Sequence, residues 1–235
     1  RVLDRALDKT MFIFIISGVV LSCLHQSSLG TLMVIAGEKM HPLWQTPILP
    51  LLFLLSAICV GFPMVIFESL ISSKSFGLKP ELDVLEGLGR MVGPMLLIYL
   101  TAKMVDVVIR ETYVHLMTIN TESIMFTIEV MIGIVIPLRM FFSRKISKTP
   151  EGLFWASAFV IFGVLLNRVN NFIIAYTPPY AESSYFPSFG EISVTLGFIA
   201  LEILLFRFLV MIFPVVSTPQ KVAFKTKYAV KGLFR

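Results

Sequence analysis

Eight ionisable side chains of this sequence sit inside long apolar runs: His25, Glu68, Lys103, Asp106, Glu129, Arg168, Glu202 and Arg207. Holding such a group at the centre of a bilayer costs at least about 2.5–3.5 kcal/mol on insertion scales, so each needs a partner, a wet cavity or a task. A histidine exchanges protons near neutral pH, and carboxylates can pass them on. Lys103, Asp106 and Arg110 fall at i, i+3 and i+7 on one helix face. There they either neutralise one another, with Lys103 and Arg110 snorkelling to the surface, or leave Asp106 for proton transfer. The run Asn167-Arg168-Val169-Asn170-Asn171 sets three amides beside an arginine, either as a structural cap or as a hydrogen-bonding patch. Glu129, Glu202 and Arg207 read equally well as interhelical pairs, with their partners open. Covalent chemistry has no candidate: there is no P-loop, GxGxxG, nucleophile elbow or metal-ligand cluster. The catalytic and metal sets are therefore empty. Cys23 and Cys59 lack CxxC spacing and read as packing residues. A bis-histidine haem needs two histidines on facing helices. Only His25 is in an apolar run, with His41 and His115 in loops, so no haem is expected.

The elements that must position these groups follow from composition. The chain has 235 residues, 56% hydrophobic and 15% charged, with 21 phenylalanines and a mean hydropathy of +0.85. Soluble domains carry about 25% charged residues, so a soluble enzyme, a disordered regulator and a disulfide-stapled secreted module are excluded. The fold class is all-α, a polytopic transmembrane helix bundle. Six spans are expected near 11–34, 47–70, 89–110, 123–142, 152–174 and 191–213, within a bundle over 1–216 followed by a basic cytoplasmic tail, 217–235. Proline and glycine punctuate the gaps, as at Thr46-Pro47 and Thr149-Pro150. Short alternating strands of a membrane barrel are not seen.

Of the twenty Lys and Arg residues, fifteen fall on one side: the N-terminal flank, the second and fourth loops and the tail. The opposite loops hold only Lys39 and Arg110. Both ends of the chain are therefore expected in the cytoplasm. The remaining Lys103, Arg168 and Arg207 lie in spans. The positives are spread over loops, and nucleic acid is not an expected partner. On this orientation His25, Lys103, Asp106, Glu129 and Arg168 occupy outer halves, Glu202 the middle and Glu68 a cytoplasmic helix end. In the first span Gly18, Ser22, His25, Gln26 and Met33 share a stripe, with Gly18 and Ser22 as a small-xxx-small step for a neighbouring helix. The outer loops carry Trp44, Tyr176, Tyr180 and Tyr185, suited either to the headgroup level or to docking a partner.

Leu24-His25-Gln26-Ser27-Ser28-Leu29-Gly30, then Lys39-Met40-His41-Pro42-Leu43-Trp44 and Thr46-Pro47-Ile48-Leu49-Pro50, resemble the NrfD/polysulfide-reductase (PsrC-type) membrane-subunit family, most of all its hydrogenase (HybB-type) branch. Phe67-Glu68-Ser69 and Gly163 to Asn170 are similar to the same branch, and the resemblance covers residues 11 to about 213. It implies a membrane subunit of a respiratory oxidoreductase, such as a hydrogenase or a sulfur-respiring enzyme, in a bacterial or archaeal cytoplasmic membrane. Electrons would pass between a quinone or menaquinone, which is the substrate, and a ferredoxin-like iron–sulfur subunit on the outer side, beside a catalytic subunit. By resemblance, His25 is the pocket histidine and Glu68 an acidic residue of a proton route. The expected quinone-binding set is His25, Gln26, Ser22, Asn167 and Arg168. The expected proton-transfer set is His25, Glu68, Asp106 and Glu202. Members usually have eight to ten spans, so about four N-terminal helices are expected to be missing here. The alternative is a secondary transporter using the intramembrane acids, which would show an inverted repeat and unwound helices; the Gly61-Phe62-Pro63 break speaks for it. An assembly anchor for a peripheral enzyme is the third possibility.

Overall fold

A computed structural model describes residues 2–77, 79–177 and 186–212. Its helices are α1 (Val2–Ala36), α2 (Leu49–Phe76), α3 (Leu82–Ile109), α4 (Thr121–Val130), α5 (Ile136–Phe142), α6 (Arg144–Ser147), α7 (Pro150–Val169) and α8 (Phe189–Ile212). A π-helical segment, Met131–Val135, joins α4 to α5, and a second, Asn170–Ile174, extends α7. Six helical stretches are long and apolar enough to cross a membrane: Thr10–Lys39, Leu49–Ser75, Leu82–Ile109, Thr121–Phe142, Pro150–Ile174 and Phe189–Leu209. No strand occurs among the described residues; only an isolated bridge joins Met40 to Tyr176.

The all-α expectation and the six spans in order are therefore observed. The third helix begins at Leu82 rather than near 89, because Asp83, Glu86 and Arg90 continue the helix past its apolar part. Bilayer thickness limits the apolar run, not the helix. Helix ends follow local chemistry. Thr149 caps α7, its Oγ1 accepting from the Gly152 N–H at 3.2 Å, and Pro150 takes the first turn, where a missing N–H costs nothing. Gly77 ends α2 at φ 65°, a left-handed conformation that glycine adopts without strain. The break expected at Gly61-Phe62-Pro63 does not form: α2 runs unbroken through Pro63.

The chain forms two compact units, Arg1–Ser184 and Tyr185–Arg235. In the second, the described residues build α8, whose side chains through Leu209 are exposed. In the first, α2 is the hub, packing against α1, α3 and α7. One apolar core joins α2, α3, the α4–α5 segment and α7 through Ile66, Val92, Leu96, Ile134, Leu153 and Val160. A second gathers at the end of the bundle carrying the 37–48 loop, around Trp44, Phe53, Val107, Phe126 and Ala175. In lipid, hydrocarbon burial does not by itself bring helices together, so close packing and polar contacts must do it. Two close approaches supply the packing. Gly133 and Gly163 face each other where the α4–α5 segment crosses α7, and a Cβ on Gly133 would lie 2.6 Å from the Gly163 Cα. A Cβ on Gly30 would lie 2.8 Å from the Pro50 Cα, so α1 docks on α2 there. The small-xxx-small step expected at Gly18 and Ser22 is corrected. Gly18 has nothing within 4 Å of a Cβ, and Ser22 is exposed. The packed stripe of α1 is Gln26, Leu29, Gly30 and Met33, rotated away from Gly18.

Candidate functional site

Glu129 is the hub of the polar interior. It lies in α4 just before a π segment, with 2% exposure. Its Oε1 accepts from Lys103 Nζ in a close ion pair and from Asn167 Nδ2 at 2.8 Å. Its Oε2 accepts from Trp44 Nε1 at 3.1 Å and Asn170 Nδ2 at 2.8 Å. Four donors from α3, α7, the π segment that extends it and the 37–48 loop thus fill the acceptor capacity of one carboxylate. Lys103 is also buried, with its ammonium 4.8 Å from the Phe126 ring centre. The expectation that Lys103 snorkels or pairs within its own helix is overturned: its partner is on another helix, and the ion pair of Asp106 is with Arg110, at 3.3 Å.

Arg168 is bound differently. Its Nε donates to Gln26 Oε1 at 3.2 Å and its Nη1 to Asn167 Oδ1 at 2.6 Å. Its Nη2 donates to Ser56 Oγ at 2.7 Å and the Phe53 carbonyl at 3.4 Å, and the guanidinium stacks 3.7 Å above the Phe53 ring. Every acceptor is neutral. A guanidinium has five N–H donors, so one N–H on Nη1 has no protein acceptor among the described residues. Asn167 touches both groups, accepting from Arg168 and donating to Glu129. Among the described residues the Lys103–Glu129–Arg168 cluster carries one net positive charge.

The π segments explain how the amides reach the cluster. An i→i+5 turn admits one extra residue and re-aims those around it. Asn170 and Asn171 start the second π segment and are wholly buried; Asn171 Nδ2 bonds back to the Asn167 carbonyl at 2.7 Å. The carboxamide oxygens of both have no partner among the described residues, which leaves two buried acceptors facing the interior.

Toward the loop end, Thr46 Oγ1 donates to Asp106 Oδ1 at 2.7 Å, and Arg110 Nη2 donates to the Pro42 carbonyl. The 37–48 loop is tied to the end of the fifth span: His41 N–H donates to the Ala175 carbonyl and Thr177 N–H to the Lys39 carbonyl, both at 2.8 Å. The His41 ring meets His115 edge-on, 5.4 Å between centres, and Trp44 at 6.0 Å. Burial holds its pKa below the usual 6.5; Glu122 opposes this and His115 adds to it. Trp44 is 2% exposed and so corrects the headgroup-level reading. Tyr180 and Tyr185 lie outside the described residues.

The structure brings Gln26, Asn167 and Arg168 together, with Asp106 on the neighbouring turns toward the loop. It does not bring His25 or Ser22 to them: both are exposed on α1, and His25 has no partner among the described residues. Glu68 is exposed near the far end of α2, and Glu202 is exposed on α8, in the other unit. Sequence reasoning missed Trp44, Ser56 and Phe53 as partners and Glu129 as the centre. The only signal was a carboxylate isolated in an apolar helix, which asks for a cation without saying which. Among the described residues no group of three or more His, Cys, Asp or Glu can hold a metal.

Residues 5–178 match the family described as Polysulphide reductase, NrfD. The chain is 32% identical over 214 residues to the Probable Ni/Fe-hydrogenase 2 b-type cytochrome subunit of Escherichia coli K12, covering 90% of this chain and 54% of that protein. It is 30% identical over 223 residues to a protein of Nitratidesulfovibrio vulgaris Hildenborough, covering 92% and 57%. The chain thus spans about half the length of the curated relatives it matches. No solved structure matches it. The E. coli relative's name invokes a b-type haem, but the histidines described here do not fit a bis-histidine site. His41 and His115 touch edge to face with no room for a macrocycle between them, and the His41 Nδ1 accepts from the Leu43 N–H at 3.3 Å. His25 faces outward on α1.

Proposed function

Because this chain belongs to the NrfD polysulphide reductase family, we propose that it is the quinone-reactive membrane subunit of a respiratory oxidoreductase complex of the hydrogenase or sulfur-respiring kind. Electrons pass between a quinone or menaquinone and a ferredoxin-like iron–sulfur subunit on the outer side of a bacterial or archaeal cytoplasmic membrane. A catalytic subunit completes the complex, and protons move with the electrons. The side of the membrane follows from the Lys and Arg distribution, which puts the loop holding His41 outside.

The observation that carries this reading is the state of Arg168. It is fixed by four neutral acceptors and an aromatic face, keeps one N–H without an acceptor among the described residues, and stands beside α1 at Gln26. Quinone reduction builds negative charge on a carbonyl oxygen before protons arrive. A fixed cation in a low-dielectric site stabilises that charge more than water does, since it need not reorganise. Gln26 and Asn167 hold the guanidinium in place, while His25 and Ser22 stand exposed on α1, where a quinone bound against that helix would meet them. Proton uptake or release by the quinol is assigned to His25, with Glu68, Asp106 and Glu202 as further carriers.

Arg168→Gln in the assembled complex tests this. Quinone-linked turnover should fall by roughly 10²-fold, the scale of losing one oriented donor to a developing oxyanion. Turnover with a soluble dye at the catalytic subunit should stay unchanged. Equal rates with quinone before and after the substitution would sink the assignment.

A further inference from the structure

On the side of the 143–149 loop, the ends of the second and fifth spans line a cleft of about 500 Å³, a volume in the range of ligand pockets. It lies between the last turn of α2 and the first turn of α7, two helices that pack against each other. Opposite charges stand on its two walls: Lys74 in the last turn of α2 and Glu151 in the first turn of α7. Neither side chain has a hydrogen bond or ion pair among the described residues. The cleft therefore offers an ammonium and a carboxylate that do not neutralise each other. The Ser73 and Ser75 hydroxyls also line it, and they too bond to no described residue.

Inward from this polar rim both helices turn apolar at helical spacing. Leu70 and Ile71 stand one turn from Lys74, and Phe154 and Trp155 one turn from Glu151; all four line the cleft. Phe154 stacks on Phe67, 5.0 Å between ring centres, and meets Trp155 edge-on at 5.6 Å. Trp155 is 57% exposed at the end of its span, where an indole suits the membrane–water boundary. A polar rim over an apolar wall at that depth complements a lipid, headgroup outward and acyl chain inward. The two charges then select the headgroup. An anionic lipid would satisfy Lys74 but be repelled by Glu151. A choline headgroup carries both signs, yet its quaternary ammonium has no N–H to give a carboxylate. We infer that this cleft is a specific site for a glycerophospholipid whose headgroup joins a phosphate to a primary ammonium, as in phosphatidylethanolamine. The phosphate accepts from Lys74 Nζ and the two serine hydroxyls, and the ammonium donates to Glu151. An acyl chain lies against Leu70, Ile71 and Phe154. Basic pockets between helix ends hold lipid headgroups by the same forces. Arg168 stands 17 residues beyond Glu151 along α7, about 25 Å at 1.5 Å per residue, so the site is separate from the quinone assignment and independent of it.

The test reconstitutes the intact membrane complex in phosphatidylcholine vesicles holding a trace of one photocrosslinking lipid. The crosslinker is on the acyl chain, and the headgroup is ethanolamine, choline or glycerol. Mass spectrometry then reads the adduct yield on peptides containing residues 70–75 and 150–155. The ethanolamine probe should exceed both others by about fivefold, the upper end for an exposed ion pair. Lys74→Gln should bring it down to the choline yield. Glu151→Gln should raise the glycerol probe to the ethanolamine yield, because the repulsion of its phosphate is gone. Both side chains are exposed, so both variants should assemble. Equal yields from the three probes in the parent would mean ordinary lipid contact, and a glycerol probe that labels best would mean an anionic-lipid site. No adduct at all would mean that protein covers the cleft. Each of these results overturns the inference, as do parent-like yields in both variants.

Discussion

A buried carboxylate that receives four donors, one of them an ammonium, has no spare acceptor site, whereas a guanidinium bound only to neutral oxygens has no counter-charge beside it. That contrast between Glu129 and Arg168 divides the interior into a compensated pair and an open cation, and Asn167 bridges them. The third polar group of interest sits at the loop end. Burial is the chief cause that holds the folded pKa of His41 below the usual 6.5. The folded state then binds fewer protons than the unfolded state below that value, and stability falls with pH there. The contribution is fully present above about pH 6.5, the ordinary histidine value, and is lost as pH drops toward the lowered folded value. Glu122 works against the shift and His115 with it. Thermal unfolding in detergent should therefore show a midpoint that declines as the pH drops below about 6.5, and His41→Gln should flatten that decline. An identical pH slope in the variant would show that His41 is not the group involved. None of this pairing was legible in the sequence. The residue types were: every buried charge of the site stands out in its apolar run. Which charge meets which depends on helix rotation and neighbour choice, and a single sequence carries neither. Lys103 illustrates the point, since its nearest acid by spacing is Asp106, yet its partner is 26 residues away in another helix.

At the scale of elements, the two π segments and the glycine crossing act together. Met131–Val135 directly precedes Ile136-Pro137, and a proline has no N–H to continue the helical ladder. The second π segment begins at Asn170. Between them Gly133 meets Gly163 backbone to backbone, which draws α4 and α7 close enough for Asn167 and Asn170 to reach Glu129. A methyl on Gly163 would fall well inside contact distance of the Gly133 Cα, with no flexible side chain to yield. Gly163→Ala should thus part the helices. The expected cost is about 1–3 kcal/mol of stability, as for other overpacked contacts, together with loss of quinone-linked turnover. Gly18→Ala, which meets nothing within 4 Å, is the control and should behave as the parent. Comparing detergent melting curves of the two variants checks it; equal stability would mean that the crossing does not set the site. Helix existence and order were legible because apolar length is a strong, local signal. The π turns were not, because they arise where a proline, a glycine contact and buried amides compete for the same backbone.

For the molecule as a whole, the exposed faces and the charge distribution make separate demands. The apolar windows of α1 and α8 are unburied by this chain, and α1 offers Leu21, Leu24, His25 and Leu32 on open surface. Apolar side chains so exposed must be covered by lipid or by protein in a membrane. Charge, on the other hand, carries the orientation proposed for the bundle. On the six-span reading of the sequence, fifteen of the twenty Lys and Arg residues are assigned to the side of the 143–149 loop, against two on the side of the 37–48 and 110–120 loops. Each charge moved across the membrane potential costs about 2.3 kcal/mol per 100 mV, and retention of Lys and Arg on the cytoplasmic side sets orientation during insertion. Both Met117 and Lys145 are exposed and lie on opposite sides of the fourth span. In intact cells a membrane-impermeant maleimide should label Met117→Cys and spare Lys145→Cys, which should react only after the membrane is opened. The native Cys23 and Cys59 lie within α1 and α2 and are replaced by serine beforehand. The reverse labelling pattern would turn the bundle over. It would put Arg168 and the Glu129–Lys103 pair in the cytoplasmic half and move the proposed iron–sulfur partner to the inner face. The sidedness of the proposed electron route therefore hangs on one pair of cysteines.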